Sequence, residues 1–145
     1  MSSRTIRNDQ EEATAWAESA WAGAVYEGDP ACIGAARRFA TDFLVERHGF
    51  DATSGVVGAV QLIVSELVTN ACKFTFGPCT LDLERIASGV EVTVRDSGTT
   101  LPVARAADPG RVGQHGLEIV MALSDSFAVE REPVGKRITV RVSAH

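Results

Sequence analysis

Glu66 and Asn70 lie four residues apart, with Lys73 three further on, in a stretch whose apolar residues recur at helical spacing. At 100° per residue the three share one helix face and can point into one site. A carboxylate and a carboxamide one turn apart can activate a nucleophile and hold a hard cation through oxygen; the plain alternative is a solvated helix face. Asp96 is a second candidate. In Val90-Glu91-Val92-Thr93-Val94-Arg95-Asp96 the two-residue period of a strand sets Asp96 on the same face as Val90, Val92 and Val94, the face that should be buried. A carboxylate there is costly unless something donates hydrogen bonds to it; otherwise Asp96 simply leaves the sheet and opens the Ser97-Gly98 turn. A third feature is the set Gly110, Gly113 and Gly116, the last two just before an apolar helical pattern. Glycines let backbone approach a ligand closely, and the N–H groups of a helix start favour phosphate. The fourth is Gly135-Lys136-Arg137 with Thr139 and Arg141. Lys136 follows a turn, while Arg137, Thr139 and Arg141 line one strand face opposite Ile138, Val140 and Val142, which reads as a solvated sheet face.

The elements that must position these residues follow from periodicity and turn chemistry. Residues 1–10 read as disordered and 13–22 as a weak helix, and a short strand begins at Ala24. Asp29-Pro30 opens a helix over 30–47, which carries Ile33, Ala36, Phe39, Ala40, Phe43 and Leu44 at helical spacing. Asp51 or Thr53 caps a second helix over 54–74, with Val56, Val60, Ile63, Val64, Leu67 and Ala71 on one stripe away from Glu66, Asn70 and Lys73. Alternating strands over 80–86 and 90–96 form a hairpin through Ala87-Ser88-Gly89. A loop over 97–114 is long enough to be functional. A third helix starts near His115-Gly116, and strands over 127–132 and 136–142 flank the turn Pro133-Val134-Gly135.

That order predicts a two-layer α/β sandwich, a mostly antiparallel sheet with helices on one face. It excludes a doubly wound nucleotide fold, because strands and helices do not alternate, and the G-x-x-x-x-G-K-[ST] phosphate loop is absent. The 145 residues, 45% of them apolar, with 14 basic against 19 acidic side chains and a net charge of -5, read as one soluble globular domain. A chain of this size buries roughly two-thirds of its unfolded surface and needs no disulfide or metal for its core. Cys32, Cys72 and Cys79, without C-x-x-C spacing, argue against a disulfide framework and a zinc site, and for a reducing cytoplasm. Charges break the apolar runs before the roughly 20 residues of a membrane span, and residues 1–16 lack a signal peptide's apolar core. Neither a span nor export is expected. The acidic balance without a basic block disfavours direct nucleic-acid binding.

Taken together, Ser-Glu-Leu-Val-Thr-Asn-Ala over 65–71, Asp96-Ser97-Gly98, the run from Gly113-Gln114-His115-Gly116-Leu117 to Val120, and Gly135-Lys136-Arg137-Ile138-Thr139-Val140 resemble the Bergerat-fold ATPases. That superfamily includes histidine kinases, gyrase-type ATPases and anti-sigma-factor serine kinases. The chain looks most like the small single-domain anti-sigma serine/threonine kinases of actinobacteria, over residues 25–142. The resemblance implies an N-terminal segment (1–22), flexible or weakly helical, and an ATP-binding domain over 23–145. It implies that Asn70 coordinates Mg²⁺ bridging the phosphates of ATP and that Glu66 polarises the attacking group. Asp96 would accept from the adenine amino group, Gly98 would give adenine room, and Gly113, Gly116 and the amides near Leu117 would face the phosphates. The loop over 102–113 would be a short lid. Lys73 shares the helix face and could reach a phosphate.

Two departures stand out: Lys73-Phe74 replaces the basic-His pair that often follows the asparagine, and Gln114-His115 separates two glycines that many relatives space by one residue. A sensor histidine kinase would need a dimerisation hairpin bearing its phosphoacceptor, and none of His48, His115 and His145 lies on one. Gyrase-type and mismatch-repair-type ATPases need further domains. The fitting expectation is a cytoplasmic serine/threonine kinase that binds a sigma factor and phosphorylates an anti-sigma antagonist, pairing as a homodimer through sheet edges or N-terminal segments. The alternative is a nucleotide-dependent binding module that sequesters a regulator without phosphotransfer.

Overall fold

Alternating apolar residues make the centre of the sheet. In the computed structural model, which describes residues 4–5, 15–17, 20–74, 77–98 and 114–144, Leu81, Leu83, Val90, Val92, Val94, Ile138 and Val140 are all buried on one face. Seven strands, β1 (Arg4–Thr5), β2 (Ala15–Ala17), β3 (Trp21–Tyr26), β4 (Cys79–Ile86), β5 (Gly89–Asp96), β6 (Ser126–Arg131) and β7 (Lys136–Ser143), form one sheet. Their order is β1-β2-β3-β4-β5-β7-β6, and every neighbouring pair is antiparallel. Central β5 therefore pairs on one side with its hairpin partner β4 and on the other with β7.

Three helices cover the apolar face: α1 (Ala31–Thr41), α2 (Gly55–Phe74) and α3 (Gln114–Leu123). The stripe read from the sequence of α2 is the buried one, since Val56, Val60, Ile63, Val64, Leu67 and Ala71 all lie in the core. Each such Val, Leu or Ile contributes roughly 1.5–3 kcal/mol by leaving water. By length and composition α2 is apolar enough to cross a membrane; here it is the central core helix, packed on β5, α1 and α3. Asp29 Oδ1 accepts from the Ala31 N–H at 2.6 Å, which opens α1 behind Pro30. Asp51 Oδ1 accepts from the Thr53 N–H and hydroxyl, bonds that hold its carboxyl below the usual range and shape the turn into α2. The result is the expected two-layer α/β sandwich.

The outer face of the sheet carries cross-strand ion pairs. Arg95 meets Asp82 at 3.1 Å, Arg141 meets Glu91 at 2.8 Å, and Arg137 bonds Glu130. Arg137, Thr139 and Arg141 thus behave as the solvated face that their alternation predicts.

The N-terminal helix is not what forms. Residues 15–17 are β2 and Trp21 opens β3, three residues before the expected strand start. The outer edge of β4 has backbone groups that need partners, and β3 supplies them along its whole length. Trp21 suits a strand, so pairing outweighs a weak alanine-based helix preference. Arg4–Thr5, inside the stretch read as disordered, pairs with β2. The expected helix over 30–47 also changes character: beyond Thr41 it becomes a π-helical turn, Asp42–Arg47, that buries Phe43 and Leu44. The expected lid over 102–113, with Gly110 and Gly113, lies outside the described residues.

The fold gathers the cysteines that are scattered in sequence. Cys32 of α1 and Cys72 of α2 stand Sγ to Sγ at 3.2 Å as free thiols, and Cys32 lies near enough to Cys79 of β4 for its charge to act there. Burial first, and then the neighbouring thiols, push Cys72 up to about 12; burial, then Cys32 and Asp96, push Cys79 up to about 11. Because the thiolate is the nucleophile, iodoacetamide at pH 8 should spare both in folded protein and modify both in denaturant. Peptide mapping by mass spectrometry checks this; native-state adducts forming at the denatured rate would contradict the packing.

Candidate functional site

Asp96 closes β5 on the inner face of the sheet, as the alternation of its strand requires, with its side chain only 3% exposed. Its Oδ1 accepts from the Gly98 N–H at 2.8 Å and from Lys136 Nζ, also at 2.8 Å. The sequence demanded donors for this carboxylate and offered a ligand for the purpose; the chain itself provides two. Lys136 opens β7 directly opposite Asp96 in the β5–β7 register, and its side chain is 7% exposed. Gly135 makes the approach possible. Its φ is +88°, and a Cβ there would lie 1.8 Å from the Asp96 carbonyl oxygen, so the β6–β7 turn can cross the end of β5 only with glycine at this position.

The sequence reading names Lys136 only as following a turn and gives it no role beside Asp96. The signal was present, because Lys136 is in phase with Ile138, Val140 and Val142, all of them buried. The same rule that marks Asp96 as inward marks Lys136 as its inward counterpart.

On α2, Glu66 and Asn70 are half-buried and Lys73 is exposed. Glu66 reaches the start of α3: a Cβ on Gly116 would fall 2.0 Å from Glu66 Oε1 and 3.0 Å from its Cδ. Gly116 belongs to the first turn of α3, where backbone N–H groups have no partner within the helix. A carboxylate is a favourable neighbour for such a terminus. Leu117 is 4% exposed, so its side chain serves the core and only its backbone could face a ligand. Gly98 is half-buried beside Asp96. Gly113 lies outside the described residues.

The structure thus groups the predicted residues into two places flanking α2, Asp96 with Gly98 at the end of β5 and Glu66 with Gly116 at the start of α3. α2 packs on both β5 and α3. These residue types fit a magnesium nucleotide. A glycine leaves backbone open to approach, and the Asn70 carboxamide oxygen suits a hard cation. Among the described residues no cluster of three or more His, Cys, Asp or Glu forms a metal site by itself, so a cation at Asn70 would complete its shell with phosphate oxygens and water.

An antiparallel sheet with helices on one face, and polar residues gathered where α2 meets β5 and α3, is the architecture of a Bergerat-type ATPase domain. Residues 26–142 match the histidine kinase-like ATPase domain family, and the chain belongs to it. ATP binding goes with that membership. Among solved structures the chain is similar to the histidine kinase domain from Erythrobacter litoralis EL346 blue-light activated histidine kinase, at 20% identity and a TM-score of 0.47. That match covers 77% of this chain and 60% of the other, so the chain spans about three-fifths of that structure's length. Comparison with curated proteins gives no match.

The Asp96–Lys136 pair yields a stability prediction. Removing one partner of a buried ion pair strands a charge, at about 3–5 kcal/mol. Lys136→Met should therefore lower the unfolding free energy by about that amount, while the double change Asp96→Asn with Lys136→Met should cost clearly less. Urea denaturation of wild type, Lys136→Met, Asp96→Asn and the double variant checks this; a double loss equal to the sum of the two single losses would mean the two side chains are not coupled.

Proposed function

We propose that the protein is a serine/threonine kinase that binds a sigma factor and phosphorylates an anti-sigma antagonist, acting in the cytoplasm. The observation that carries this reading is the placement of Glu66, whose carboxylate reaches the first turn of α3 at Gly116. A candidate base and a set of phosphate-favouring amides therefore adjoin one another. Asp96 would accept from the adenine amino group, with Gly98 beside the base. Asn70 would hold Mg²⁺, which would neutralise charge on the phosphates. The amides at Gly113, Gly116 and Leu117 would face the phosphates, and Lys73 would stand over them from α2. Glu66 would orient the hydroxyl of a serine on the antagonist, so that catalysis is mainly positioning and charge neutralisation. Phosphorylating the antagonist would release the kinase to hold its sigma factor, with two copies pairing through sheet edges or N-terminal segments.

A second reading keeps the nucleotide and drops the transfer. The altered context at Lys73-Phe74, in place of a basic-His pair, and at Gln114-His115, between two glycines, favours a module that grips a regulator only when ATP is bound.

Radiolabelled ATP offered with candidate antagonist proteins separates the two. The kinase reading expects label on a serine of one antagonist, reduced about 10²–10⁴-fold by Glu66→Ala, with Mg·ATP binding by calorimetry kept in Glu66→Ala and weakened in Asp96→Asn. Label undiminished in Glu66→Ala removes Glu66 from the chemistry. ATP-dependent partner binding without any phosphoprotein selects the second reading.

A further inference from the structure

We infer that Lys136 is the positioning residue that sets base specificity at the proposed nucleotide site, making it selective for a base with an exocyclic amino group. The inference rests on the reading of Asp96 as the residue that faces the base, and it concerns a side chain that reading leaves unused. A carboxylate only accepts hydrogen bonds, so it suits a 6-amino group and not a 6-oxo group. Lys136 Nζ lies 2.8 Å from Oδ1, both side chains are almost wholly buried, and in such a place the ammonium acts on the carboxylate far more strongly than in water.

The geometry fixes the orientation of that carboxylate. Oδ1 takes both the Lys136 ammonium and the Gly98 N–H, which commits that oxygen to the chain and pins the plane of the carboxylate. Any base amino group must then be read by the other oxygen. Lys136 cannot easily leave, because it stands opposite Asp96 in the ladder and is delivered by a turn at Gly135 that touches the Asp96 carbonyl. Committed and buried, it is a poor cation for phosphate. Its effect on a nucleotide passes through Asp96.

This separates a positioning role from a merely structural one. Loss of a structural lysine weakens binding of every nucleotide alike, whereas loss of a positioning lysine removes the preference among bases. The test measures dissociation constants of wild type and Lys136→Met for Mg·ATP and for the magnesium complex of purine riboside triphosphate, which lacks only the 6-amino group, with a thermal melt of each protein. Wild type should prefer ATP by about tenfold or more, the worth of a hydrogen bond to a charged group. Lys136→Met should bring the two constants within about threefold of each other, chiefly by weakening ATP.

A Lys136→Met protein that keeps the full preference, or that loses both ligands equally, overturns the inference and leaves the nucleotide reading standing. A wild type that binds both triphosphates equally overturns it too, since Asp96 would then read no amino group. A wild type that binds neither sinks the nucleotide reading itself. Should Lys136→Met fail to fold, the wild-type protein still answers through the ¹⁵N–¹H resonance of the Lys136 ammonium. That signal should shift with Mg·ATP and hold still with the purine riboside analogue; equal shifts with both would overturn the inference.

Discussion

Two opposite charges buried side by side at the ends of β5 and β7 are the constraint around which the candidate site is arranged. Taking each ion out of water costs several kcal/mol, recovered only when geometry is good and hydrogen bonds are complete. Asp96 and Lys136 meet at 2.8 Å, and the Gly98 N–H adds a second donor to the same oxygen. Much local structure follows from keeping that arrangement. The β5–β7 register must set residue 96 opposite 136, the chain must turn immediately after Asp96, and the β6–β7 turn must pass so close that no side chain fits at Gly135. A one-residue slip in β7 would exchange Lys136 for Arg137 and turn every inner valine outward. The ion pair and the apolar alternation therefore specify the same register.

Helix α2 joins this strand end to the other half of the site. One of its faces carries the core stripe from Val56 to Ala71, which fixes its rotation and height on the sheet. With the rotation fixed, Glu66 has little choice of direction and meets α3 at its first turn. Gly116 accommodates it by lacking a Cβ, as Gly135 accommodates the end of β5. The two glycines serve different contacts by one device, the removal of a side chain where another group must approach. Positioning thus comes from packing, with the polar residues riding on elements set by apolar ones.

What could be read from the sequence was what one element decides alone. The stripe of α2, the alternation of β4, β5 and β7, the hairpin that joins β4 to β5 and the inward aim of Asp96 all follow from periodicity and turn chemistry within a single segment. What could not be read needs two segments at once. Trp21 joins a strand because β4 has an open edge, a fact located sixty residues away. Cys32, Cys72 and Cys79 have no motif spacing, yet they converge because α1, α2 and β4 pack together. Lys136 is intermediate. Its inward phase was legible in β7 by itself, whereas its partner was visible only once β5 and β7 were laid side by side. The expected lid over 102–113, with Gly110 and Gly113, lies outside the described residues, and in the proposed function the described groups nearest the phosphates are those at Gly116 and Glu66.

The charge distribution bears on how such a protein can hold a polyanion. The chain carries a net charge of -5, and an acidic protein gains no long-range attraction for ATP. Local donors must do the work. Lys136 is spent on Asp96, and Arg95, Arg137 and Arg141 are tied to carboxylates on the outer face of the sheet, across the layer from α2. On the polar face of α2 the exposed cation is Lys73, one side chain against several phosphate charges. Among the described residues, the balance in the proposed function therefore falls to Mg²⁺ at Asn70 and to the backbone amides that open α3. Binding built this way should depend on the divalent cation more than on ionic strength, since helix-terminal amides and a bound metal act at contact distance, whereas exposed lysines act through a screened field.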